Sequence, residues 1–394
     1  MTRAEIVVDL AAIRHNVRLL RELVGTTMIT VVKADAYGHG MVEVARAARD
    51  AGAEWLAVAT LDEARALRAG GDTGPVLTWL TVPGERYDDV VRAGIDLTAY
   101  SVAELDEIAA ADAGVPARVQ LKVDTGLGRG GAIRADWERF FARARAGEEA
   151  GAWTVTGIWS HLACADEPDH PANDAQQAAF DDALALAAAA GLRPALRHLA
   201  NSAAAILRPG ARYDAVRVGL ASYGLDPAPS VEHGTDLRPA MTVRAELALV
   251  KHLAAGDSVS YGHTWTAAAP TTIGLVPAGY AEGVPVAGSG RLEVAVDGTR
   301  RPLRGRVCMD QVLVDLGGDE PPAGTDVVLF GPPGEGRATA QDWAEACGTI
   351  SYEIVTRVGG RMPRRHVDPD RDPDRDPDHD LDPESDRDDD RGPR

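Results

Sequence analysis

The feature of this sequence that most constrains its fold is a repeated alternation of short apolar runs with helix-like segments. The helix-like segments have amphipathic or alanine-rich patterns, most clearly at 9–24, 102–111, 136–145 and 173–190. Eight apolar runs, each short enough for a buried strand, lie at 28–32, 55–59, 75–80, 97–100, 118–123, 155–160, 197–200 and 215–218. Eight such strand–helix units in succession predict an α/β fold, the TIM-like (β/α)8 barrel.

The pattern changes after residue 238, and the remainder predicts a second domain of a different class. Residues 242–250 and 307–316 alternate polar and apolar side chains, as half-buried strands do. Asp297-Gly298 is a two-residue hairpin signal that follows a strand-like run at 292–296. We therefore expect a mostly antiparallel β domain after the barrel.

These patterns divide the chain into two domains and a tail. The barrel is expected over residues 1–238 and the β domain over residues 239–366. A strand at 5–8 precedes the first barrel helix, and its pairing with the second domain is left open. Residues 367–394 hold 13 acidic and 5 basic residues in an Asp-Pro repeat with almost no apolar side chains. Such a composition cannot form a core and predicts a disordered acidic tail.

Composition and charge exclude several functional classes. The chain has a formal net charge of −19 and no basic patch that would indicate nucleic-acid binding. The three cysteines form an odd set without metal-ligand spacing, which is typical of reduced thiols in the cytosol and predicts no metal site. Without an N-terminal signal segment or an apolar run of about 18 residues, the sequence predicts a cytoplasmic protein that does not span a membrane.

Lysine is scarce in this chain, and one lysine lies at the end of a predicted strand. Of the 41 basic residues, only Lys33, Lys122 and Lys251 are lysines. Arginine supplies a fixed charge and cannot be deprotonated in proteins, so a lysine kept in this background is a candidate for Schiff-base chemistry, which needs a neutral amine. The alternative for Lys33 is a side chain whose stem covers the barrel rim while its charge reaches water.

The segment around Lys33, VVKADAYGHG, resembles the pyridoxal-phosphate lysine motif of the alanine racemase family. The resemblance covers residues 4–365 and continues in the family's order through KVDTGLGRGG from Lys122, SHLACAD from Ser160, ANSAA from Ala200, RVGLASYGL from Arg217, VSYGHTW from Val259, GYAEG from Gly279, GRVCMDQ from Gly305 and ISYEI from Ile350. It implies a pyridoxal 5'-phosphate enzyme that interconverts L-alanine and D-alanine and supplies D-alanine for cell-wall peptidoglycan.

Every motif in the barrel half falls at the carboxyl end of a predicted strand. Active-site residues of (β/α)8 barrels come from that rim, and scattered surface residues would not coincide with it so consistently. The candidates at the rim are Lys33, Lys122, Arg129, His161, Asn201, Ser202, Arg217 and Gly219.

Several of these residues are candidates for binding the cofactor phosphate. In such barrels phosphate lies near the loops after the seventh and eighth strands. Ser202 opens a helix-like run and offers a hydroxyl, although a helix cap is the simpler interpretation of Ser202 alone. Gly219 and Leu220 can add backbone donors, because a glycine lets an anion approach closely. The resemblance adds Tyr37 and Tyr352 as phosphate ligands.

Arg217 separates this chain from most pyridoxal-phosphate enzymes. Those enzymes place a carboxylate against the pyridine nitrogen, which keeps the ring protonated and strongly electron-withdrawing. The resemblance implies that Arg217 occupies this position, with His161 and Asn201 as further cofactor neighbours. A permanently charged arginine gives the ring no proton, so the carbanion is stabilised less and its reprotonation is favoured over transamination.

Racemisation needs one base on each face of the α-carbon, and the resemblance implies Lys33 and Tyr261. Lys33 would serve the face that gives D-alanine. Because the usual pKa of tyrosine is near 10, Tyr261 needs positive neighbours to act as a base, and His161 and Arg217 are suited to that role. Since Tyr261 lies in the second domain, the resemblance implies a homodimer in which each site is shared between two subunits.

The resemblance also implies residues that bind the substrate carboxylate. Arg129 and Met309 match such positions, with Met309 supplied by the second subunit. Lys122 matches a lysine that is often carbamylated and orients the arginine, while an ordinary surface pair of Lys122 with Asp124 is the alternative. Asp310 is expected to fix the loop that carries Met309.

Three other functions are compatible with parts of this sequence. A fold-related amino-acid decarboxylase should carry a glutamate in place of Arg217, and a cofactor-carrier protein should lack the β domain that holds Tyr261. A broad-specificity racemase, acting for example on serine, would typically have a secretion signal and a wider pocket. The resemblance implies a narrow entrance lined by Tyr280 and Tyr352, which favours alanine as the substrate.

Overall fold

A computed structural model describes residues 3–334 and 336–371, and these divide into two compact units. The first unit is formed by Arg14–Leu237, and the second combines the residues before Arg14 with those from Arg238 onward. The first strand, β1 (Ala4–Asp9), belongs to the second unit. Most of the predicted acidic tail lies outside the described residues. No helix in the described ranges has both the length and the apolarity to cross a membrane.

Eight parallel strands form the sheet of the first unit, which confirms the predicted barrel. They are neighbours in the order β8-β7-β6-β5-β4-β3-β2-β9. The edges meet where the Arg217 N–H donates to the Ala200 carbonyl at 2.9 Å. The strands are β2 (Thr27–Val31), β3 (Trp55–Val58), β4 (Val76–Thr78), β5 (Asp96–Ala99), β6 (Ala117–Lys122), β7 (Trp153–Trp159), β8 (Leu196–His198) and β9 (Ala215–Val218).

Short polar side chains begin several helices in the first half of the chain, among them the first predicted helix. Asp9 accepts hydrogen bonds from the N–H groups of Ala11 and Ala12, as an N-cap residue does. Thr60 and Glu63 form a capping box. The α-helices are Leu10–Val24, Met41–Asp50, Leu61–Ala69, Asp88–Arg92, Val102–Ala109, Trp137–Glu149, Ala172–Ala189 and Ser202–Leu207.

The second unit is built on a nine-stranded sheet in the order β11-β14-β17-β16-β15-β18-β10-β1-β19, beside a two-stranded ribbon of β12 and β13. All its pairs are antiparallel except that of β1 with β19. The strand whose pairing the sequence left open therefore lies between β10 and β19. The elements are β10 (Met241–Glu246), β11 (Leu249–Leu253), β12 (Ser258–Val259), β13 (Trp265–Thr266), β14 (Thr271–Val276), β15 (Glu293–Val296), β16 (Thr299–Arg304), β17 (Val312–Gly317), β18 (Asp326–Phe330), β19 (Arg364–Val367) and the helices Ala340–Cys347 and Ser351–Arg357.

Two strand predictions in this unit are wrong in extent. The run at 242–250 is divided between β10 and β11, because the Leu247 N–H donates to the Thr325 carbonyl and the chain changes its pairing partner there. Of the run at 307–316, only the part from Val312 is a strand. The Asp297-Gly298 hairpin is confirmed, with φ of 48° and 70° between β15 and β16.

A buried carboxylate holds the two strands on either side of β1. Glu5 accepts hydrogen bonds from Arg244 at 2.7 Å and from Arg365 at 3.4 Å. Burial raises the pKa of Glu5, but these hydrogen bonds outweigh burial and hold the pKa below its usual range. A lowered pKa stabilises the fold above the unfolded-state pKa, and this contribution is lost as the pH falls through the folded-state value.

We expect Glu5→Gln to destabilise the second unit at neutral pH by about 1–3 kcal/mol, because two partly buried arginines lose their acceptor charge. The difference from wild type should shrink in acid, where the wild-type carboxyl group is also protonated. Melting temperatures measured between pH 7 and pH 3 test this. The exposed Glu22→Gln serves as control. A constant difference at every pH would contradict it.

Candidate active site

Lys33 begins one turn of left-handed helix where the sequence suggested only a glycine-closed loop. Ala34, Asp35, Ala36 and Tyr37 all have φ between 52° and 54°. Residues with a Cβ pay about 1–2 kcal/mol each for this conformation. A turn of four such residues therefore persists only if its surroundings hold it in place.

Side chains from two other segments, together with His39 just after the turn, hold this turn. The Ala34 N–H donates to the Glu63 carboxylate at 2.6 Å. His39 Nδ1 lies 3.0 Å from the Tyr37 carbonyl, so that nitrogen must carry the proton. The Tyr223 ring packs against the rings of both Tyr37 and His39, with centroids 4.8 and 4.6 Å apart. The turn thus fixes the direction in which the Lys33 side chain leaves the backbone.

The Lys33 amine lies in an environment that favours its neutral form. Its Nζ is 5.7 Å from the ring centre of Trp79 and 6.0 Å from that of Tyr37. Burial lowers the pKa of Lys33, and the charge of Arg129 lowers it further, against a weaker opposing effect of Glu63. An amine that loses its proton more readily is a better nucleophile and a better base.

The hydroxyl groups of Ser202 and Tyr37 both lie beside Gly219, at the start of the loop after β9. Ser202 begins the helix Ser202–Leu207, but the cap is Asn201, whose side chain accepts from the Ala204 N–H at 3.0 Å. The helix-cap interpretation of Ser202 is therefore wrong. Its hydroxyl oxygen instead accepts from the Gly219 N–H at 2.9 Å. A Cβ at position 219 would collide with the Tyr37 hydroxyl, so only glycine fits between them.

Arg217 is a buried cation that is held entirely by neutral acceptors. Its guanidinium donates to the carbonyls of Ser160 at 2.7 Å and Leu199 at 3.1 Å, and contacts Nδ1 of His198 at 2.8 Å and of His161 at 3.2 Å. Because arginine only donates, both imidazoles accept at Nδ1. The Nε–H has no partner among the described residues, so one donor stays available.

These contacts determine the charges at the site. Burial, helped by the charge of Arg129, lowers the pKa of Arg217 to about 9, which still leaves it charged near neutral pH. Burial and the charge of Arg217 lower the pKa of His161 well below its usual range. His161 is therefore a neutral hydrogen-bonding group and not the positive neighbour that the sequence suggested.

Lys122 is buried between aromatic rings at the end of β6. Its Nζ lies 4.5 Å from the ring centre of Trp159 and 4.9 Å from that of Tyr100. Burial, with the charges of Arg217 and Arg129, lowers the pKa of Lys122 to about 7. No ion pair joins Lys122 to Asp124 among the described residues, and one oxygen of that carboxylate accepts from the N–H groups of its own turn.

The second unit carries its predicted site residues on exposed loops. Tyr261 is 70% exposed, Met309 52% and Tyr280 45%. Tyr261 begins a 3-10 turn, Tyr261–His263, after Ser260 with a φ of 62°. Tyr352 is half-buried in the helix Ser351–Arg357.

The loops of Met309 and Tyr280 are joined to each other. The Tyr280 N–H donates to the Cys308 carbonyl at 3.0 Å, and the Ala281 N–H donates to the Met309 carbonyl at 2.9 Å. These bonds explain why residues 307–311 do not continue β17. Asp310 forms an ion pair with Arg361 at 2.6 Å, which ties the loop to a third segment.

Comparison with known sequence families agrees with both units. The family model described as "Alanine racemase, N-terminal domain" matches residues 8–227, and that described as "Alanine racemase, C-terminal domain" matches residues 240–366. The chain belongs to the alanine racemase family.

Relatives within the alanine racemase family match nearly the whole chain. An alanine racemase of Streptomyces coelicolor is 52% identical over 376 residues, which cover 93% of this chain and 96% of that protein. One of Salinispora arenicola is 51% identical over 373 residues, covering 94% and 100%. The crystal structure of alanine racemase from D-cycloserine-producing Streptomyces lavendulae has a TM-score of 0.91 at 49% identity and covers 93% of this chain and 97% of that one.

In this member of the alanine racemase family, the predicted residues separate into two groups. The first group lies at or just after the carboxyl ends of the barrel strands and consists of Lys33, Tyr37, Lys122, Arg129, His161, Asn201, Ser202, Arg217, Gly219 and Leu220. The second group lies in the second unit and consists of Tyr261, Tyr280, Met309, Asp310 and Tyr352. The sequence did not identify Glu63, Trp79, Trp159 and His198 as neighbours of the site residues. Of these four, His198 could have been predicted, because it lies inside an apolar strand run.

We expect the amine of Lys122 to titrate near pH 7 in the cofactor-free protein, so that about half of it is neutral at that pH. The chain has three lysines, and exposed Lys251 is an internal control. Trace labelling with an amine reagent across pH, followed by mass spectrometry of each lysine peptide, gives each titration midpoint. A midpoint near 10 for Lys122, equal to that of Lys251, would contradict the burial effect.

Proposed function

We propose that this protein interconverts L-alanine and D-alanine with pyridoxal 5'-phosphate as its cofactor. The observation that carries the proposal is the group of residues at the barrel rim. It combines an amine prone to lose its proton (Lys33), two hydroxyls beside Gly219, and a buried arginine with a free Nε–H. The alanine racemases to which the chain is similar favour alanine over the broad-specificity alternative.

The rim offers donors that suit each part of this cofactor. Lys33 would hold it covalently through its amine. The hydroxyls of Ser202 and Tyr37, with the N–H groups of the turn that begins at Leu220, would bind its phosphate beside Gly219. Gly219 leaves the room that a Cβ would fill. When bound, the cofactor withdraws electrons from the substrate and makes the α-proton acidic.

Arg217 would face the ring nitrogen with its free Nε–H. As a charged donor it can hydrogen-bond the nitrogen but does not release a proton to it at neutral pH. The α-carbon then keeps more of its negative charge, which favours direct return of a proton. His161 and Asn201 would complete this side of the cofactor, and Tyr352 would contribute to the phosphate end.

Two side chains would move the proton at the α-carbon. The Lys33 amine would take or return the proton on one face, and the Tyr261 hydroxyl would do so on the other face. Arg129 supplies the positive charge for the substrate carboxylate, assisted by Met309. Arg129 lies close enough to Lys33, Lys122 and Arg217 for its charge to lower the pKa of each.

We further propose that the active form is a homodimer in the cytoplasm, with each site shared by two subunits. Support comes from the second unit, whose exposed side chains include Tyr261, Tyr280, Met309 and Ile350. Large apolar residues exposed on neighbouring loops are typical of a surface that another chain covers. Tyr280 and Tyr352 would narrow the entrance, and Lys122 would orient Arg129.

A direct assay tests the proposed activity. Purified protein supplied with pyridoxal 5'-phosphate should convert L-alanine into D-alanine, and the reverse, until the two are equal. D-alanine is measured by its oxidation with a D-amino-acid oxidase, and serine is run in parallel. Failure to form D-alanine by protein that binds the cofactor would refute the proposal, and equal rates on serine would favour the broad-specificity alternative.

Lys33→Arg should abolish the visible absorption of the cofactor-loaded protein that borohydride bleaches, because arginine cannot form the covalent link. Racemase activity should fall by about 10³-fold or more, as for removal of a catalytic base combined with loss of cofactor attachment. Lys251→Arg is the matched control and should leave both unchanged. A borohydride-stable adduct on another lysine would overturn the role of Lys33.

Lys33→Ala and Tyr261→Phe should each be nearly inactive alone but active when mixed. In a heterodimer with shared sites, one site carries both changes and the other carries none. Random exchange of equal amounts should therefore restore about a quarter of wild-type activity, since half the dimers have one intact site. Exchange is verified with two affinity tags. Proven exchange without recovered activity would refute the shared site.

A further inference from the structure

A line of buried polar groups leads from Arg217 through the barrel interior to Asp96 at the start of β5. His198 Nδ1 lies 2.8 Å from the Arg217 guanidinium, and His198 Nε2 lies 2.7 Å from Gln120 Oε1. Gln120 Nε2 in turn donates to Asp96 Oδ2 at 3.1 Å. All four residues are at most 4% exposed.

The chemistry of these groups allows only one direction of donation along the line. A guanidinium only donates, so His198 accepts at Nδ1 and its single proton is on Nε2. That proton is donated to Gln120 Oε1, which leaves the Gln120 amide N–H groups facing Asp96. An ionised carboxylate only accepts, so it is the acceptor that this orientation of Gln120 requires. The line is therefore satisfied at both ends, by the donor Arg217 and the acceptor Asp96, only if His198 carries its proton on Nε2.

The surrounding packing makes room for the line and restrains it. Gly157 in β7 lies beside Gln120, where an added Cβ would be 2.7 Å from the Gln120 oxygen. The register between β6 and β7 shifts at Gln120. The ring of Trp159 stacks on His198 with centroids 5.6 Å apart and planes at 10°. These contacts hold His198 and Gln120 in position, so that exchanging the oxygen and nitrogen of the Gln120 amide is the change that the packing still allows.

Asp96 has two further partners that fix the carboxylate itself. Arg118 donates to its other oxygen at 2.5 Å, with a side chain 44% exposed. The Thr156 hydroxyl donates to Asp96 Oδ2 at 2.5 Å and lies beside the line without being part of it. Thr156 therefore offers a control that weakens the carboxylate's surroundings but leaves the line intact.

We propose that Asp96 is a positioning residue for Arg217: through Gln120 it holds His198 as the Nε2–H tautomer, and His198 thereby holds the Arg217 guanidinium. The inference deepens the proposed function, because Arg217 would hydrogen-bond the cofactor ring. If His198 carried its proton on Nδ1, an Arg217 N–H would face another donor. The guanidinium would then turn, and its Nε–H would lose its direction.

Asp96→Asn should remove this control without changing the size of the side chain. If the new amide oxygen faces Gln120, the amide nitrogen faces the donor of Arg118. If the amide nitrogen faces Gln120, that side chain must flip and present N–H groups to His198. Both arrangements contain a donor against a donor, so neither is well satisfied. Gln120→Met breaks the line at its centre and is the second variant, in case Asp96→Asn does not fold.

The direct test is the tautomer of His198 in the cofactor-free protein. Two-bond proton–nitrogen spectra of histidine-labelled protein distinguish Nδ1–H from Nε2–H, and loss of one signal in His198→Gln assigns it. Wild type and Thr156→Val should show only Nε2–H. Asp96→Asn and Gln120→Met should show Nδ1–H or a mixture. An Nδ1–H tautomer in wild type, or an unchanged tautomer in both line variants, would overturn the inference.

The consequence for activity is tested on cofactor-loaded protein. Loss of a residue that orients a functional group typically costs about 10–100-fold, and we expect kcat for alanine to fall by that factor in Asp96→Asn. KM should change little, because Asp96 does not contact substrate, and Thr156→Val should keep kcat within about twofold of wild type. If wild type shows the expected tautomer but has no racemase activity, the proposed function is refuted and the inference is not. If wild type is active and Asp96→Asn has an unchanged kcat, the inference is refuted and the proposed function is not.

Discussion

A buried guanidinium held by neutral acceptors is the interaction on which the barrel site depends. Arg217 has carbonyl and imidazole partners and no carboxylate among the acceptors of its hydrogen bonds. Its charge is therefore not cancelled locally, and it acts on the neighbouring titratable groups His161, His198 and Lys122. After burial itself, it is the first contributor that lowers the pKa of His161, His198 and Lys122. Both histidines stay neutral, so each has one accepting nitrogen with a defined role.

Four cations share one end of the barrel, and burial together with their mutual repulsion lowers the pKa of the two amines. Lys33, Lys122, Arg129 and Arg217 lie close enough for their charges to act on one another. The arginines keep their protons, so the lysines yield theirs more readily. The same excess of positive charge suits ligands that bring a phosphate and a carboxylate. A strained left-handed turn then aims Lys33 into this field.

The sequence predicted the barrel strands to within a few residues, because a buried parallel strand is apolar on both faces and the runs are therefore continuous. It was less accurate in the β unit, where alternation continued past the true ends of strands. Residues 307–311 alternate like a strand, yet the carbonyls of Cys308 and Met309 accept hydrogen bonds from the loop of Tyr280. Such a contact depends on a distant segment, which no local pattern reports.

The sequence by itself determined the fold class, the family, and the residue types at the rim, since motifs and strand ends are local properties. Only the tertiary structure decided how those residues act. The left-handed turn after Lys33 is held by Glu63 and Tyr223, and the tautomer of His198 by Gln120, which is 78 residues away in sequence. Hydrogen-bond direction and electrostatic field both depend on distances in space. Those distances exist only once the barrel strands β2 to β9 are placed side by side.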